Sequence, residues 1–492
     1  MIQWPWWLFL GACGLAPNLG LRLSEDVTQI ELKEICSRLH ERFDAMYFAN
    51  LKSFKLASQG QKVHNQEDAA AMWQQFGLER EIVFDLRNDT RYISTADWHG
   101  DFLVACETLL HSGVMSAEGD WQDPKAWFIH TGDIVDRGLS SPAIYEMILH
   151  LKDQAKKKCP GKECGIVTIM GNHEAMNLMG MYHYLNPREA LKYYNIDFNS
   201  YNDQGRKQRN QNGPKTVLSN IDIWDPLYGY LGKRIVKEFD IFVKFGDTIY
   251  VHGGLTRKMI EFGKQTGNPL LEVRTSDDQG SNDQSFGDNA ARERAINGPV
   301  SDVRSRIIFQ NLSWLIKKSI IRYVNRESLS LTEHDLISGD NCPFWTRIVS
   351  TGNGSKICKM LKVTLDDLGA KTCVVGHTIT ASQDVEKKCG GRFWLMDTAS
   401  SELMSPQVRV NLYNVAYIKV SEENQTPDSD LPNRVVEWTL YKRRFNAPHE
   451  NYFNFSTSII RTAQLPPAAP SPLLLEVAGK SCANGASPLF FP

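Results

Sequence analysis

Five short motifs between residues 97 and 378 carry side chains that could bind metal ions and phosphate. In chain order they are Asp97-Trp98-His99-Gly100, Gly132–Gly138 (GDIVDRG), Gly171–Glu174 (GNHE), His252-Gly253-Gly254 and Gly376-His377-Thr378. They offer carboxylate, amide and imidazole groups. Mixed nitrogen and oxygen ligands suit Mn, Fe or Zn, whereas Ca²⁺ prefers a shell made of oxygen atoms. The motifs therefore predict a transition-metal site.

Each motif follows or lies near a short apolar run that is typical of a strand. The predicted strands are Tyr92–Thr95, Trp127–Thr131, Ile166–Met170, Thr248–Val251, Thr372–Val375 and Phe393–Met396, and the helices between the early ones are Ser141–Lys157 and Glu174–Tyr184. This alternation is typical of an α/β layered domain. Such sheets bind ligands at the carboxyl ends of their strands, where the glycines allow sharp turns. We therefore expect the motifs to converge.

Taken singly, each motif is a weak signal, because a histidine after a strand is more often structural than a ligand. Five motifs with compatible ligand chemistry in one chain favour a single site over unrelated loop residues. Gly352–Lys356 (GNGSK) lacks the spacing of a phosphate-binding loop, so no ATPase is inferred.

The second and third motifs resemble those of the calcineurin-like metallophosphoesterases, in the phosphoprotein phosphatase branch. The continuations Gly171–Leu178 (GNHEAMNL), Asn186–Glu189 (NPRE) and Cys342–Arg347 (CPFWTR) are similar to the Shewanella-like protein phosphatases. The resemblance covers roughly residues 88–400. Ala96 stands where the family has glycine. No SAPNY-like segment follows the fifth motif, which favours the Shewanella-like branch. The implied fold is α/β (α+β), with two mixed β-sheets in a sandwich flanked by helices and the metal site at the carboxyl ends of the strands.

The resemblance also implies a metal-ligand set. One ion takes Asp97, His99 and Asp133, and the other takes Asp133, Asn172, His252 and His377. Asp133 would then bridge two divalent or trivalent transition-metal ions, Mn, Fe or Zn. A hydroxide between the ions would attack phosphorus directly.

Four further residues receive catalytic roles from the same resemblance. His173 is the expected general acid, and Asp136 would accept a hydrogen bond from it and favour its charged form. A simple loop cap is the alternative for Asp136. Arg137 would hold the phosphoryl oxygens, and Arg347 is a candidate second clamp, with a surface ion pair as its alternative.

The expected function is hydrolysis of phosphoprotein or phosphopeptide monoesters at phosphotyrosine, phosphoserine or phosphothreonine. A small-molecule phosphatase or phosphodiesterase acting on nucleotides is the alternative, because the motifs handle only the phosphoryl group. An inactive binding scaffold is disfavoured, since every expected ligand and the acid are present. The 55 Lys and Arg residues nearly balance the 57 Asp and Glu residues, which gives no general reason to bind nucleic acid.

Four segments are expected along the chain. Residues 1–16 resemble a signal peptide or other targeting leader, although Pro5 interrupts the apolar run and no basic residue precedes it. Residues 17–87 form a helical extension, in which Leu32, Ile35, Leu39 and Phe43 make one apolar stripe. Residues 88–445 form the catalytic domain, with a polar insertion around 265–300, and residues 446–492 a Pro-rich flexible tail.

The leader favours the secretory pathway or an extracellular location, with an organellar or cytoplasmic location as the alternative. No later segment is long and apolar enough to span a membrane. Cys159 and Cys164 could close a small disulfide loop, but the pairing of the ten cysteines does not follow from sequence. The native metals, the preference among phosphoresidues and the oligomeric state are left open.

Overall fold

The computed structural model describes the chain in separate ranges that include the five motifs. These ranges are 29–58, 82–85, 90–161, 164–195, 223–266, 300–352, 354–380, 385–401, 414–423, 435–445 and 453–462. The leader 1–16 and residues 267–299 of the polar insertion lie outside them.

The first sheet has six strands and a parallel centre. Its order is β12-β11-β10-β2-β3-β4, and its strands are β2 (Arg91–Thr95), β3 (Ala126–His130), β4 (Gly165–Thr168), β10 (Asn414–Glu423), β11 (Val435–Phe445) and β12 (Phe453–Thr462). Strands β2, β3 and β4 pair in parallel, and β10, β11 and β12 extend the sheet antiparallel. Every residue of β3 is buried. A strand that is buried on both faces needs no polar face toward solvent, which explains why the sequence of β3 is largely apolar.

The second sheet is also mixed. Its order is β1-β5-β6-β7-β9-β8, and its strands are β1 (Val83–Phe84), β5 (Phe242–Phe245), β6 (Thr248–Val251), β7 (Thr372–Val375), β8 (Glu386–Lys388) and β9 (Phe393–Leu395). Strands β6, β7 and β9 are parallel, β5 pairs antiparallel with β6 and parallel with β1, and β8 pairs antiparallel with β9. The expected pair of mixed sheets is therefore confirmed.

Large aromatic side chains fill the space between the two sheets. Tyr92 and Trp127 from the first sheet pack against Phe245 of the second, with ring centroids 5.3 and 5.2 Å apart. Phe84 of β1 stacks on Phe245 at 4.6 Å. This apolar layer fixes the sheets face to face, so the strand ends of both sheets meet at one edge.

Helices cover the outer faces of the sandwich. They are α1 (Gln29–Ser58), α2 (Phe102–His111), α3 (Ser141–Lys158), α4 (Asn172–Leu178), α5 (Pro187–Tyr194), α6 (Tyr230–Glu238), α7 (Arg257–Gln265), α8 (Val300–Val324), α9 (Leu331–Ser338), α10 (Ile348–Thr351) and α11 (Ser355–Asp367). Helix α1 packs on α2 and α3, and α8 packs on α7 and α9. None of the described helices combines the length and apolar character needed to cross a bilayer.

Strand pairing continues outside the expected domain boundaries at residues 88 and 445. The stripe of α1 is core, because Leu39 and Phe43 are buried, and strand β1 at Val83–Phe84 pairs with β5. At the other end, Phe453–Thr462 forms β12 inside the segment expected to be a flexible tail. Proline content drew that boundary, but apart from Pro448 the prolines of this segment begin at Pro466, beyond the strand. Strand β1 thus extends the second sheet on the N-terminal side of the expected domain, and β12 extends the first sheet on its C-terminal side.

Three disulfides lie in the described part of the chain. They are Cys36–Cys106, Cys159–Cys164 and Cys358–Cys389, while Cys342 and Cys373 are buried free thiols. The small loop expected at Cys159 is therefore confirmed. Cys36–Cys106 joins α1 to α2 across 70 residues of sequence, which ties the N-terminal helix to the core.

Replacing both members of Cys36–Cys106 by alanine should lower the melting temperature of the oxidised protein by several degrees. The stabilisation from a disulfide grows with the length of chain it closes, and removing such a bridge typically costs about 2–5 kcal/mol. The matched control is Cys159→Ala with Cys164→Ala, whose partners are only 5 residues apart. Calorimetry showing equal losses in both double variants would contradict this account.

Candidate metal centre

The five motifs meet at one edge of the sandwich, where strands of both sheets end. Asp97, Asp133 and Asn172 follow β2, β3 and β4 of the first sheet, and His252 and His377 follow β6 and β7 of the second. Ligand groups from both sheets therefore face one small volume, as the sequence predicts. Open sheets place their sites in this position because the loops at the strand ends converge there.

The loops turn sharply at the residues that face the site. Six of the non-glycine residues there have a left-handed backbone: Asp97 (φ 51°), His99 (44°), Asp133 (60°), Asp136 (73°), Arg137 (64°) and His377 (66°). This conformation is uncommon for side chains with a Cβ atom and clusters at functional sites. At Gly138, a Cβ atom would lie 2.2 Å from the carbonyl carbon of Gly100, so only glycine lets the two loops touch.

The Asp133 carboxylate lies at the centre of the site. Its Oδ2 is 3.3 Å from His252 Nε2, 3.9 Å from His99 Nε2 and 3.8 Å from His173 Nε2. Ligand atoms within 4.8 Å of one another form two groups, His99 with Asp133 and His173, and Asp133 with His252 and His377. Asp133 belongs to both groups, as a bridging ligand would.

The hydrogen bonds of His252 leave a position that suits a cation. Its Nδ1 donates to the Thr131 carbonyl at 2.8 Å, so the neutral ring presents the lone pair of Nε2 to the site. That nitrogen lies 2.9 Å from Asn172 Oδ1 and faces Asp133 as well. Burial lowers the pKa of His252, but the Asp133 charge outweighs it and holds the pKa above its ordinary value. A lone pair and two oxygens facing each other fit a metal ion.

His99 and His377 add two further ligand atoms. His99 Nδ1 donates to the Val135 carbonyl at 3.2 Å, which orients Nε2 toward the site in the same way as in His252. His377 Nε2 is buried and has no hydrogen-bond partner in the described residues. An unpaired buried nitrogen is costly unless a ligand satisfies it. The residues present therefore fit bound metal.

Asp97 lies beside these groups and outside both of them. Its carboxylate accepts the backbone N–H of His377, at 3.2 Å to Oδ1 and 3.1 Å to Oδ2. Burial, together with the charges of Asp397 and Asp133, raises the pKa of Asp97 well above its ordinary value. Sequence reasoning missed Asp397, which follows β9 and whose pKa burial raises to about 6. Three buried carboxylates concentrate negative charge that a bound cation would neutralise.

Glu174 is a second residue whose role the sequence did not reveal. Its carboxylate accepts the backbone N–H groups of Asp133, Ile134 and Gly171 at 2.8–2.9 Å, and the Tyr145 hydroxyl at 2.8 Å. It thereby holds the turn that carries Asp133 against the start of α4. Its place three residues after Gly171, at the start of a helix, is the position of a capping glutamate and was the available signal.

His173 and Asp136 are in direct contact. His173 Nδ1 lies 2.7 Å from Asp136 Oδ2, and Asn177 Nδ2 donates to Asp136 Oδ1 at 3.0 Å. Burial would lower the pKa of His173, but the Asp133 charge and the Asp136 hydrogen bond raise it above the ordinary value. The carboxylate of Asp136 is therefore engaged with the histidine and the amide, not with backbone N–H groups as a loop cap would be.

The two arginines lie at different parts of the site. The Arg137 guanidinium lies over the Tyr184 ring, 5.0 Å from its centroid. Arg347 is exposed, and its Nη2 donates to the carbonyl of His377 at 3.4 Å rather than to a carboxylate. The Trp345 ring meets His377 edge-on at 5.6 Å. The segment 342–347 therefore borders the site on the side of His377.

Comparisons with known proteins place this site in a family. Shewanella-like protein phosphatase 1 of Plasmodium berghei (strain Anka) is 25% identical over 312 residues, covering 63% of this chain and 67% of that protein. Shewanella-like protein phosphatase 2 of Arabidopsis thaliana is 26% identical over 205 residues, covering 37% and 51%. The crystal structure of a cold-active protein-tyrosine phosphatase of a psychrophilic Shewanella species shares 16% identity and a TM-score of 0.44, covering 78% and 84%.

The family assignment comes from a match that spans more than half of the chain. Residues 90–380, more than half of the 492, match the calcineurin-like phosphoesterases, and they contain all five motifs. The chain belongs to the calcineurin-like phosphoesterase family and has its metallophosphoesterase fold.

Proposed function

We propose that this phosphoesterase is a two-metal phosphomonoesterase that hydrolyses phosphoprotein or phosphopeptide substrates, at phosphotyrosine, phosphoserine or phosphothreonine. The observation that carries the proposal is the Asp133 carboxylate, which belongs to two groups of side chains whose ligand atoms lie within 4.8 Å of one another, one of them including His173 of the His173–Asp136 pair. The names of the similar proteins support a protein substrate.

The proposed ligand set is the one that the family resemblance implies. One ion would be held by Asp97, His99 and Asp133, of which His99 and Asp133 lie in one ligand group, and the other by Asp133, Asn172, His252 and His377. Bound ions of this kind supply an activated water and neutralise the charge of the phosphoryl oxygens.

His173 is proposed as the general acid. Its Nδ1–H donates to Asp136, which favours the charged imidazolium form, and in that form Nε2 also carries a proton, which faces the site and can pass to the leaving oxygen. Asp136 stabilises that charged form, and Asn177 fixes Asp136 in turn. The competing role is that of a metal ligand, because His173 Nε2 also lies near Asp133. The metal content of a His173 variant separates the two roles.

Arg137 and Arg347 are proposed to bind the phosphoryl oxygens from two sides. The guanidinium of Arg137 lies on the His173 side, next to Tyr184, and that of Arg347 lies beside His377. Guanidinium groups match the geometry of phosphate oxygens and hold the group in line for displacement.

The purified protein, loaded with Mn, Fe or Zn, should hydrolyse phosphopeptides much faster than nucleotides or bis(p-nitrophenyl) phosphate. The phosphopeptides are monoesters on a peptide. Bis(p-nitrophenyl) phosphate is a diester, which the proposed site is not expected to favour. Rates across this panel, together with metal analysis of the same sample, test the proposal. A preference for nucleotides or for the diester would assign the chain to small-molecule or phosphodiester chemistry instead.

Asp133→Asn is the variant to compare with the wild type on the same substrates. It keeps the shape of the side chain but removes the charge that belongs to both ligand groups, so metal binding and activity should be lost together. Two tightly bound ions with normal turnover in this variant would remove Asp133 from its central role.

His173→Asn should slow the reaction in proportion to the basicity of the leaving group. General-acid catalysis is worth about 10²–10⁴-fold, most for a serine alkoxide, less for a tyrosine phenoxide and least for p-nitrophenolate. Rates on the three substrates, with metal content measured in parallel, test the role. Asp136→Asn serves as the milder control with the same order. Loss of a metal ion from His173→Asn would make this residue a ligand, and equal losses on all substrates would contradict acid catalysis.

We further propose that the protein is exported. Three disulfides in the described residues support this, because such bridges persist in oxidising compartments. Protein isolated from its native cell should begin near Pro17, after removal of the leader. N-terminal sequencing that finds an intact Met1 would contradict export.

A further inference from the structure

Tyr184 lies at the rim of the site and contacts two of the side chains proposed for catalysis. Its ring centroid is 4.9 Å from that of His173, and the Arg137 guanidinium lies 5.0 Å from it on the ring face. Although His173 is 3% exposed, Tyr184 is 44% exposed. One part of the ring therefore packs on the buried site, and the other is open to a substrate.

Hydrogen bonds of the loop between α4 and α5 fix the position of this ring. The Arg137 N–H donates to the Tyr184 carbonyl at 2.9 Å, and Asn186 Nδ2 donates to the Arg137 carbonyl at 2.8 Å. The expected helix Glu174–Tyr184 ends at Leu178, and Gly180 adopts φ 77° in the turn that follows. That turn brings Tyr184 back over the site instead of carrying it along the helix.

The position of Tyr184 relates it to the leaving group of the substrate. A general acid must reach the oxygen that departs, so the space beside His173 is the space that the leaving group occupies. Tyr184 is the exposed ring that contacts His173, whereas Trp345 contacts His377 on the side of the metal ligands. The leaving group therefore departs along the Tyr184 ring.

Phosphoresidues differ in what they place against that ring. Phosphotyrosine carries an aromatic ring directly on the leaving oxygen, whereas phosphoserine carries a single methylene before the backbone. Two aromatic rings that meet at 4.5–7 Å gain about 0.5–1.5 kcal/mol beyond the area they bury, a factor of about 2–10 in an equilibrium. A methylene group offers no equivalent contact.

We infer that Tyr184 is a specificity-determining residue that favours aryl over alkyl phosphate monoesters, phosphotyrosine among them. The inference rests on the proposed function, since it takes His173 to face the leaving group. It names a substrate class that the ligand set does not define, because the metal ligands meet only the phosphoryl group.

The test measures the ratio of kcat/KM for an aryl ester to that for an alkyl ester. Two peptides of one sequence carry phosphotyrosine or phosphoserine, and phenyl phosphate and glycerol 2-phosphate form a second pair without a peptide. In Tyr184→Leu this ratio should fall about 2- to 10-fold in both pairs. Differences in the intrinsic reactivity of the esters cancel when variant and wild type are compared.

Two further variants act as controls. Tyr184→Phe keeps the ring and should keep the wild-type ratio. Tyr323→Leu alters an aromatic residue of similar exposure near the end of α8, outside the five motifs in sequence, and should change nothing. Metal content and melting temperature are measured for each variant, so that a folding defect is recognised by a lower melting temperature or a lower metal content.

Two results would overturn the inference. An unchanged ratio in Tyr184→Leu would mean that the ring does not meet the leaving group. An equal loss on aryl and alkyl esters would mean that Tyr184 only positions Arg137 and His173. Failure of the proposed function gives a different pattern, in which the wild type cleaves the small esters but neither peptide. The ratio for the small esters then still decides the role of Tyr184.

Discussion

The buried negative charge of Asp133 is the interaction on which the site depends. An isolated carboxylate in the protein interior is strongly unfavourable, so it needs positive partners or hydrogen bonds. Burial opposes ionisation of Asp133, but the neighbouring His252 and His173 hold its pKa well below the ordinary value. These histidines follow strands β6 and β4 of different sheets. The charge of one side chain therefore couples the two halves of the sandwich at the edge where catalysis is proposed.

Glu174 allows the backbone around Asp133 to adopt a conformation that the local sequence does not favour. Left-handed conformations of residues other than glycine typically cost about 1–3 kcal/mol each and persist only where surrounding contacts enforce them. The enforcing contacts here are the bonds from the N–H groups of Asp133 and Ile134 to the two carboxylate oxygens of Glu174, and the oxygen that accepts from Asp133 also accepts from Gly171. Close contact between Gly100 and Gly138 joins the first two loops in the same way. The strain is local, and the large apolar core of the sandwich supports it.

A feature could be predicted from sequence where it depends on neighbouring residues in the chain, and not where it depends on contacts with distant ones. Trp127–Thr131 was predicted as a strand because a strand buried on both faces is apolar throughout, and β3 is Ala126–His130. Asp397 could not be found, because its importance comes from lying near Asp97 and Asp133, far away in the chain. Helix α8, at Val300–Val324, was missed beside the polar insertion. The helix end at Leu178 does not follow from the sequence, because the apolar run continues through Met179 and Met181.

The spacing of the third motif lets one short helix, α4, position both the proposed general acid and a proposed metal ligand. His173 and Asn177 are four residues apart on α4, so they share one face of the helix, and both bind Asp136. Asn177 also donates to the His173 carbonyl at 2.9 Å. The helix thus carries the imidazole and the amide that orients its carboxylate as one rigid unit. The preceding residue, Asn172, contacts His252 on the other side of Asp133. A small shift of α4 would therefore move the proposed metal ligand Asn172 and the proposed acid His173 together, and the hydrogen bonds of Glu174 oppose such a shift.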